Sequence, residues 1–308
     1  MRVLVTGGAG FIGSHVVDAL VDAGHHVAIV DDLSTGKKAN LNPKATFYQA
    51  DIRDENALEA IFAQEQPEAV CHQAALANVR EAMAQPVRYA SVNVLGSLTL
   101  LEMCRRHGVQ RFVYASTGGA AYGEPQSLPV SEEHPINPLD PYGASKHHVE
   151  HYLYLYRHNY GLRYAVLRYA NVYGPRQDPY GEAGVVAIFT NKMLAGETPT
   201  INGTGEQARD FVYVGDVARA NLLALTGAEG IFNIGTGIGT TVNQVYQGLR
   251  AATGYQGSVH YGPAKAGEVY RIYLDVRKAA RELGWTPQMP WEEGLRRTVA
   301  SFRREGHV

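Results

Sequence analysis

The sequence predicts a doubly wound α/β fold, a parallel sheet covered by helices on both faces, with a smaller, interleaved α/β lobe at its C-terminal end. Three observations predict it. Short β-branched apolar runs alternate with longer helical patterns through the first half of the chain. The first of those runs ends in a cluster of glycines that opens a helix. Beyond Tyr173 the rhythm loosens into Gly- and Pro-rich loops, "GPRQDPYGEAG", "INGTGEQ" and "YGPAKAGE", separated by short elements.

In order, "RVLVTGG" reads as a strand, followed by a helix near 11–23, the strand "HVAIVDD" and a helix near 54–65. Then come the strand "AVCHQAA", a helix near 87–107, the strand "RFVYAS" and a long helix from about 142 to 159. That helix leads into "RYAVLRYANVYG", read as one strand, and "FNIGTG" at 232–237 reads as a strand returning to the main sheet. The expected division is a cofactor domain over 1–172, with a returning segment near 211–238, and a substrate lobe over 173–308. No internal repeat or low-complexity tract interrupts it.

A chain of 308 residues can bury a large core. With 19% charged residues and a formal net charge of -2, no sequence-wide basic field draws it to nucleic acid or a membrane surface. The opening "MRVLVTGG" leaves no room for a signal peptide, and no apolar run approaches bilayer-spanning length. Cys71 and Cys104 lie far apart in apolar contexts, so buried thiols in a reducing cytoplasm are expected rather than a disulfide.

The glycine cluster is Gly7, Gly8, Ala9, Gly10, Phe11, Ile12 and Gly13. Glycines between a strand and a helix permit a tight turn and close approach of backbone to a pyrophosphate, whose charge then sits at a helix N-terminus. About 20 residues on, "HVAIV" ends in Asp31, where a Rossmann-type fold places the acid that hydrogen-bonds the adenosine ribose. An acid there repels a 2′-phosphate, so NAD is favoured over NADP, with Asp32 as the second candidate for that contact. Lys37 and Lys38 read as a solvated loop. Asp51 and Ile52, at the end of "ATFYQA", are placed to flank an adenine ring, with helix capping the competing reading for Asp51.

Tyr142 and Lys146 stand four apart in "YGASK", so on a helix both point to one face. An ammonium beside a phenol favours the phenolate, a base for a hydroxyl proton. Upstream, "ASTGGAAYG" over 115–123 spills from a strand end into a loop with two hydroxyls and two glycines.

The motifs "TGGAGFIG", "DDLSTG", "DIRD", "HQAA", "NVLGSLTLLE", "PYGASK", "RYANVYGP", "RDFVYVGDVA" and "FNIGTG" occur in that order. Together they resemble the extended short-chain dehydrogenase/reductase superfamily and, within it, the UDP-glucose (UDP-galactose) 4-epimerase family, over essentially the whole chain. The resemblance implies an NAD-dependent isomerase that inverts C4 of a UDP-hexose through a 4-keto intermediate. N-acetylhexosamine or uronic acid substrates are the alternatives within the family. A non-catalytic NAD sensor or interaction protein is the alternative outside it. It implies Tyr142 as catalytic base and Lys146 as the grip on the nicotinamide ribose. Asn93 would support the cofactor side, Ala74 and Ala75 would line the dinucleotide, and Tyr169 would approach the nicotinamide. Asn171 and the backbone around Gly184, Val185 and Val186 would receive the UDP-sugar, with Arg209 on its diphosphate.

Two departures stand out. The family's usual serine falls at Gly118, leaving the neighbouring Thr117 as the candidate hydroxyl. Glycines at 118 and 119 would re-aim it by taking positive φ, and Gly118→Ser would then restore part of what Thr117→Val removes. Lys265, near Gly267 and Glu268, stands where the family has a second diphosphate-binding Arg. Gly118, Gly119, Ala120 and Ala121 also lack the acids that related dehydratases and decarboxylases carry. By the same resemblance Ile272 sets the pocket width beside the sugar, and the paired helices of two subunits would form a homodimer. His147 and His151 have chelate spacing on one helix but no third ligand, so no metal is expected.

Overall fold

The computed structural model describes residues 1–180, 184–264 and 269–304. Six strands come from the first part of the chain: β1 (Arg2–Thr6), β2 (His26–Asp31), β3 (Thr46–Gln49), β4 (Ala69–His72), β5 (Arg111–Thr117) and β6 (Arg163–Tyr169). The seventh, Gly230–Ile234, returns from the later part and pairs with β6. All pairings are parallel, in the order returning strand, β6, β5, β4, β1, β2, β3. The order reverses between β1 and β4, which opens a crevice at the carboxyl ends of those strands, where ligands of such sheets bind.

Alternation along the strands builds a core on each face. Val3 and Val5 of β1 pack with Val113, Leu167 and Val16, Val17 and Leu20 of helix Phe11–Asp22. Leu4 points the other way, toward Val70, Phe112, Leu100 and Val149. Each such side chain contributes about 1.5–3 kcal/mol when fully buried. A third core, with Tyr173, Phe189, Tyr213, Leu249 and Val299, holds the smaller lobe together.

The expected helix near 87–107 is present as one continuous helical run from Pro86 to Arg106 with a π-helical turn at Ala90–Leu95, and a short helix, Val79–Ala84, precedes it. Pro86 has no N–H to continue the short helix and starts the long one. One expected element differs from the structure. The run "RYAVLRYANVYG" is two strands, because the pairing partner changes within it. Ala170 N–H donates to Ile234 O, but Asn171 N–H donates to Asp210 O. The short strand Asn171–Tyr173 therefore joins Phe211–Tyr213, outside the main sheet.

The long helix runs Pro141–Tyr160, capped by the Asp140 carboxylate accepting from Gly143 N–H and closed by Gly161. Cys71 and Cys104 are buried free thiols, and burial pushes the Cys71 thiol up to about 12. Among the described residues no helix is long and apolar enough to cross a membrane.

Candidate active site

The turn after β1 is shaped by close approach. Gly7 has φ +69°, and a Cβ on it would stand 2.6 Å from Ala74 N. A Cβ on Gly13 would stand 2.0 Å from the Gly7 carbonyl oxygen. Only bare backbone fits, so the turn lies flat against the end of β4. Gly10 caps helix Phe11–Asp22 without a side-chain acceptor, which leaves the helix-start amides for an anionic ligand.

The crevice wall is lined by Gly7, Gly10, Phe11, Ile12 and Gly13 from this turn. Asp31 and Asp32 from the end of β2, and Asp51 and Ile52 from the end of β3, continue it. Ala74, Ala75, Tyr142, Lys146 and Tyr169 complete the opposite wall. These are the expected cofactor residues, gathered from five strand ends and two helices. Asp31 is 7% exposed and accepts from Ala9 N–H at 2.9 Å and Leu33 N–H at 2.8 Å. Burial raises its pKa against those two bonds. Each carboxylate oxygen keeps a lone pair for a ribose hydroxyl. Asp51 is held by Arg53, which keeps its carboxyl below the usual range, and the next helix is capped by Asp54 instead. Lys37 pairs with Asp178 at 3.9 Å between exposed side chains.

Asn93 is the exception among the cofactor candidates, because it lies behind the crevice rather than in its wall. It is buried, accepts from Leu76 N–H at 2.8 Å and donates to Leu76 O and Ser145 Oγ, both at 2.9 Å. It ties the Ala74–Leu76 turn to the helix of Tyr142 and Lys146. Tyr169 donates to Gln73 Oε1 at 3.2 Å and accepts from Asn221 Nδ2 at 2.7 Å.

Lys146 is 4% exposed, with its Nζ 4.6 Å from the centre of the Tyr114 ring. One turn further on, Glu150 accepts from Ser116 Oγ at 2.6 Å and from Arg168 at 3.0 and 2.6 Å. Burial pushes the Glu150 carboxyl up, but the His147 and Arg168 hydrogen bonds and the Arg168 charge overcome it and hold it at about 2. This buried ion pair bolts the helix of Tyr142 and Lys146 to β5 and β6.

The loop after β5 departs from expectation. Neither Gly118 nor Gly119 takes a positive φ, so the glycines do not re-aim Thr117 in the way the sequence suggested. Gly118 is required by space: a Cβ there would stand 2.6 Å from Leu274 Cδ1. Thr117 is not among the residues lining the crevice around Tyr142. Its Oγ1 accepts from Ala120 N–H at 3.2 Å, a bond that does not use its own proton. Ser116 does line the crevice, but its proton goes to Glu150.

Of the substrate candidates, Asn171 is exposed, with its Oδ1 3.6 Å from where a Gly119 Cβ would lie. Gly184 caps helix Val185–Leu194, Val186 is buried in the lobe core and Val185 is half-buried, so this segment offers a ligand its backbone and part of one valine side chain. Arg209 sits in the short strand Ala208–Arg209, between Thr240–Thr241 and Arg271–Ile272, and donates to Ala208 O and Tyr270 O. Ile272 faces Arg209 in register, 2% exposed within the main core. Lys265 and Glu268 lie outside the described residues.

Residues 3–235 match the family of NAD dependent epimerases and dehydratases. The chain belongs to that family. It is 43% identical to the UDP-glucose 4-epimerase of Mycolicibacterium smegmatis over 99% of each chain. It superposes on the Thermotoga maritima UDP-glucose 4-epimerase, solved with UDP-glucose, with TM-score 0.97 and 53% identity over 99% of both chains. The Thermus thermophilus UDP-glucose 4-epimerase, solved with NAD, matches with TM-score 0.95 and 47% identity over the full length of both. The crevice of this epimerase-family chain fits NAD on its own geometry: a turn with no room for a Cβ at Gly7 or Gly13, an uncapped helix start and an acid at the end of β2.

Sequence reasoning missed Asp210, Glu150 with Arg168, and Gln73. Buried Asp210 accepts from Thr236 N–H at 2.7 Å, Gly237 N–H at 3.0 Å and Leu274 N–H at 3.2 Å. It anchors the strand that carries Arg209. One signal was available. Tyr142, Lys146 and Glu150 repeat every four residues, so the carboxylate shares the helix face of Tyr142 and Lys146.

Proposed function

We propose that this chain interconverts UDP-glucose and UDP-galactose by inverting C4 of the sugar through a 4-keto intermediate. The observation that carries the reading is the pairing of Tyr142 with a buried Lys146 on one helix face, at the wall of an NAD-shaped crevice. Bound NAD supplies the hydride chemistry at C4. The chain's own residues do the rest. Tyr142 takes the proton from O4 and later returns it. Lys146, fixed against the Tyr114 ring, holds the nicotinamide ribose and favours the ionised Tyr142. Thr117 lies just outside the crevice lining, but its hydroxyl proton is not used by the Ala120 bond, so on turning toward O4 it helps pass the O4 proton to Tyr142, a role closed to Ser116, whose proton is committed to Glu150. The Arg209 guanidinium and the helix start at Gly184 hold the diphosphate, and Asn171 reaches the sugar. The link at the diphosphate lets the sugar turn over and present its other face.

Incubation with UDP-galactose and detection of UDP-glucose tests the reading. Tyr142→Phe should retain bound NAD and nucleotide-sugar affinity while turnover falls roughly 100-fold or more, the scale of a positioned acid–base group. Near-normal turnover in that variant would sink the assignment. The family's helix pairing, with Tyr154 exposed on the long helix and Leu95 exposed nearby, supports a homodimer, which sedimentation in solution tests.

A further inference from the structure

Behind the crevice, His72 ends β4 with its imidazole 1% exposed, although it touches no ligand site. Its Nδ1 lies 2.6 Å from Thr6 Oγ1 at the end of β1, and its Nε2 lies 2.8 Å from Ser97 Oγ. The protons in this cluster can be assigned one by one. Ser97 Oγ donates its only proton to Asn93 O at 2.5 Å, so it must accept from His72, and the ring proton is on Nε2. Nδ1 is then an acceptor and Thr6 Oγ1 donates to it, while Thr6 Oγ1 itself accepts from Ala74 N–H at 3.3 Å.

The chain of bonds runs in one direction from Ala74 through Thr6, His72 and Ser97 to the Asn93 carbonyl. Asn93 carries it on to Ser145, whose Oγ donates to Tyr142 O at 2.7 Å. One end is the turn that lines the cofactor crevice and the other is the backbone of the proposed base. The ring also packs on Tyr114, centroids 5.6 Å apart, and Tyr114 in turn lies under Lys146.

We propose that His72 is a positioning residue that, as the neutral Nε2–H tautomer, sets the spacing between the Ala74–Leu76 turn and the helix of Tyr142 and Lys146. The proposal rests on the epimerase reading only for its consequence in turnover. A second ring proton would face the Thr6 hydroxyl proton and break the direction of the chain. Removing the ring nitrogens leaves Thr6 and Ser97 without their shared partner while the packing volume stays filled.

His72→Phe should release bound NAD faster and lower turnover roughly 10- to 100-fold, with KM for UDP-galactose within about 2-fold. Ser97→Ala, which removes the next link and little volume, should show the same split on a smaller scale. The double variant should lose less than the product of the two single losses, because both break one chain. Unchanged NAD release with normal turnover in Ser97→Ala, or full additivity in the double variant, would overturn the proposal. Imidazole 15N spectra of the wild-type protein should show one ring locked as Nε2–H that disappears in His72→Phe; if that ring carries its proton on Nδ1 instead, the proposal fails. Should His72→Phe not fold, Ser97→Ala and the wild-type spectra decide. Both the tautomer and NAD release are read without substrate, so they separate failure of this proposal from failure of the proposed reaction.

Discussion

Two glycine turns follow two strands of the same sheet, β1 and β5, with β4 between them, and they use glycine for different reasons. After β1, Gly7 takes a left-handed φ of +69° and Gly13 has no space for a Cβ beside the Gly7 carbonyl. After β5, Gly118 and Gly119 have ordinary backbone angles. Gly118 is there because Leu274 occupies the space, and Gly119 has only Asn171 in ordinary contact. The supports beneath them also differ. The buried His72 imidazole underlies the first turn, and a buried Glu150–Arg168 ion pair underlies the second. The comparison teaches that a pair of glycines in a sequence names a constraint without naming its kind.

Gly13→Ala is the strongest way to break the comparison. Its Cβ would meet the Gly7 oxygen, so the turn must open, with about 3 kcal/mol lost in thermal unfolding and no NAD co-purifying. A stable, NAD-bound variant would remove the steric reading. Next comes Thr117→Val, expected to cut turnover by roughly 100-fold without unfolding. Gly118→Ser added to it should now restore nothing and cost a further 1–3 kcal/mol, roughly, because Leu274 must move. Recovery of activity in the double variant would show that the loop can be re-aimed after all.

Acid sharpens the contrast between the supports. Burial lowers the His72 pKa well below 6.5, with the Lys146 charge adding to it, so folding keeps the ring neutral. Its stabilising contribution is complete above pH 6.5 and falls as pH drops below that value, because the unfolded chain then binds a proton the folded chain refuses. Between pH 7.5 and 5.5 the loss should be about 1 kcal/mol in urea unfolding, and His72→Gln should lack it. The Glu150 contribution is lost only below the ordinary carboxylate range, as pH falls toward about 2. An identical acid profile in His72→Gln would assign the loss to other histidines. Smallest of all, Gly119→Ala should change stability by less than about 0.5 kcal/mol, since nothing stands closer than 3.6 Å to the new carbon.

What the sequence made legible was whatever local spacing controls. Gly7 to Gly13, Asp31 at the end of β2, and Tyr142 with Lys146 on one helix face all follow from residues near one another in the chain. The strand rhythm likewise foretold the sheet and its returning strand, while the pairing switch at Ala170 depended on distant partners. The hidden parts are long-range. Thr6 and His72 are 66 residues apart, and Ser116 and Glu150 are 34 apart, so no periodicity reveals those bonds. Thr117 was legible as a hydroxyl but not in its direction, because Gly118 records the position of Leu274, which arrives from the far end of the chain.

The returning strand has a consequence for how the molecule is made. β6 remains an open sheet edge until Gly230–Ile234 has been synthesised and has left the ribosome. Until then a nascent chain carries every other strand of the sheet and, besides the β3 edge, a second unpaired row of amides and carbonyls along β6, an invitation to mispairing. A stalled or nonsense-truncated product ending before residue 230 would therefore be a substrate for chaperones and proteases even though the whole helix Pro141–Tyr160 is present. The sheet is therefore complete only once a strand from far along the chain has been made.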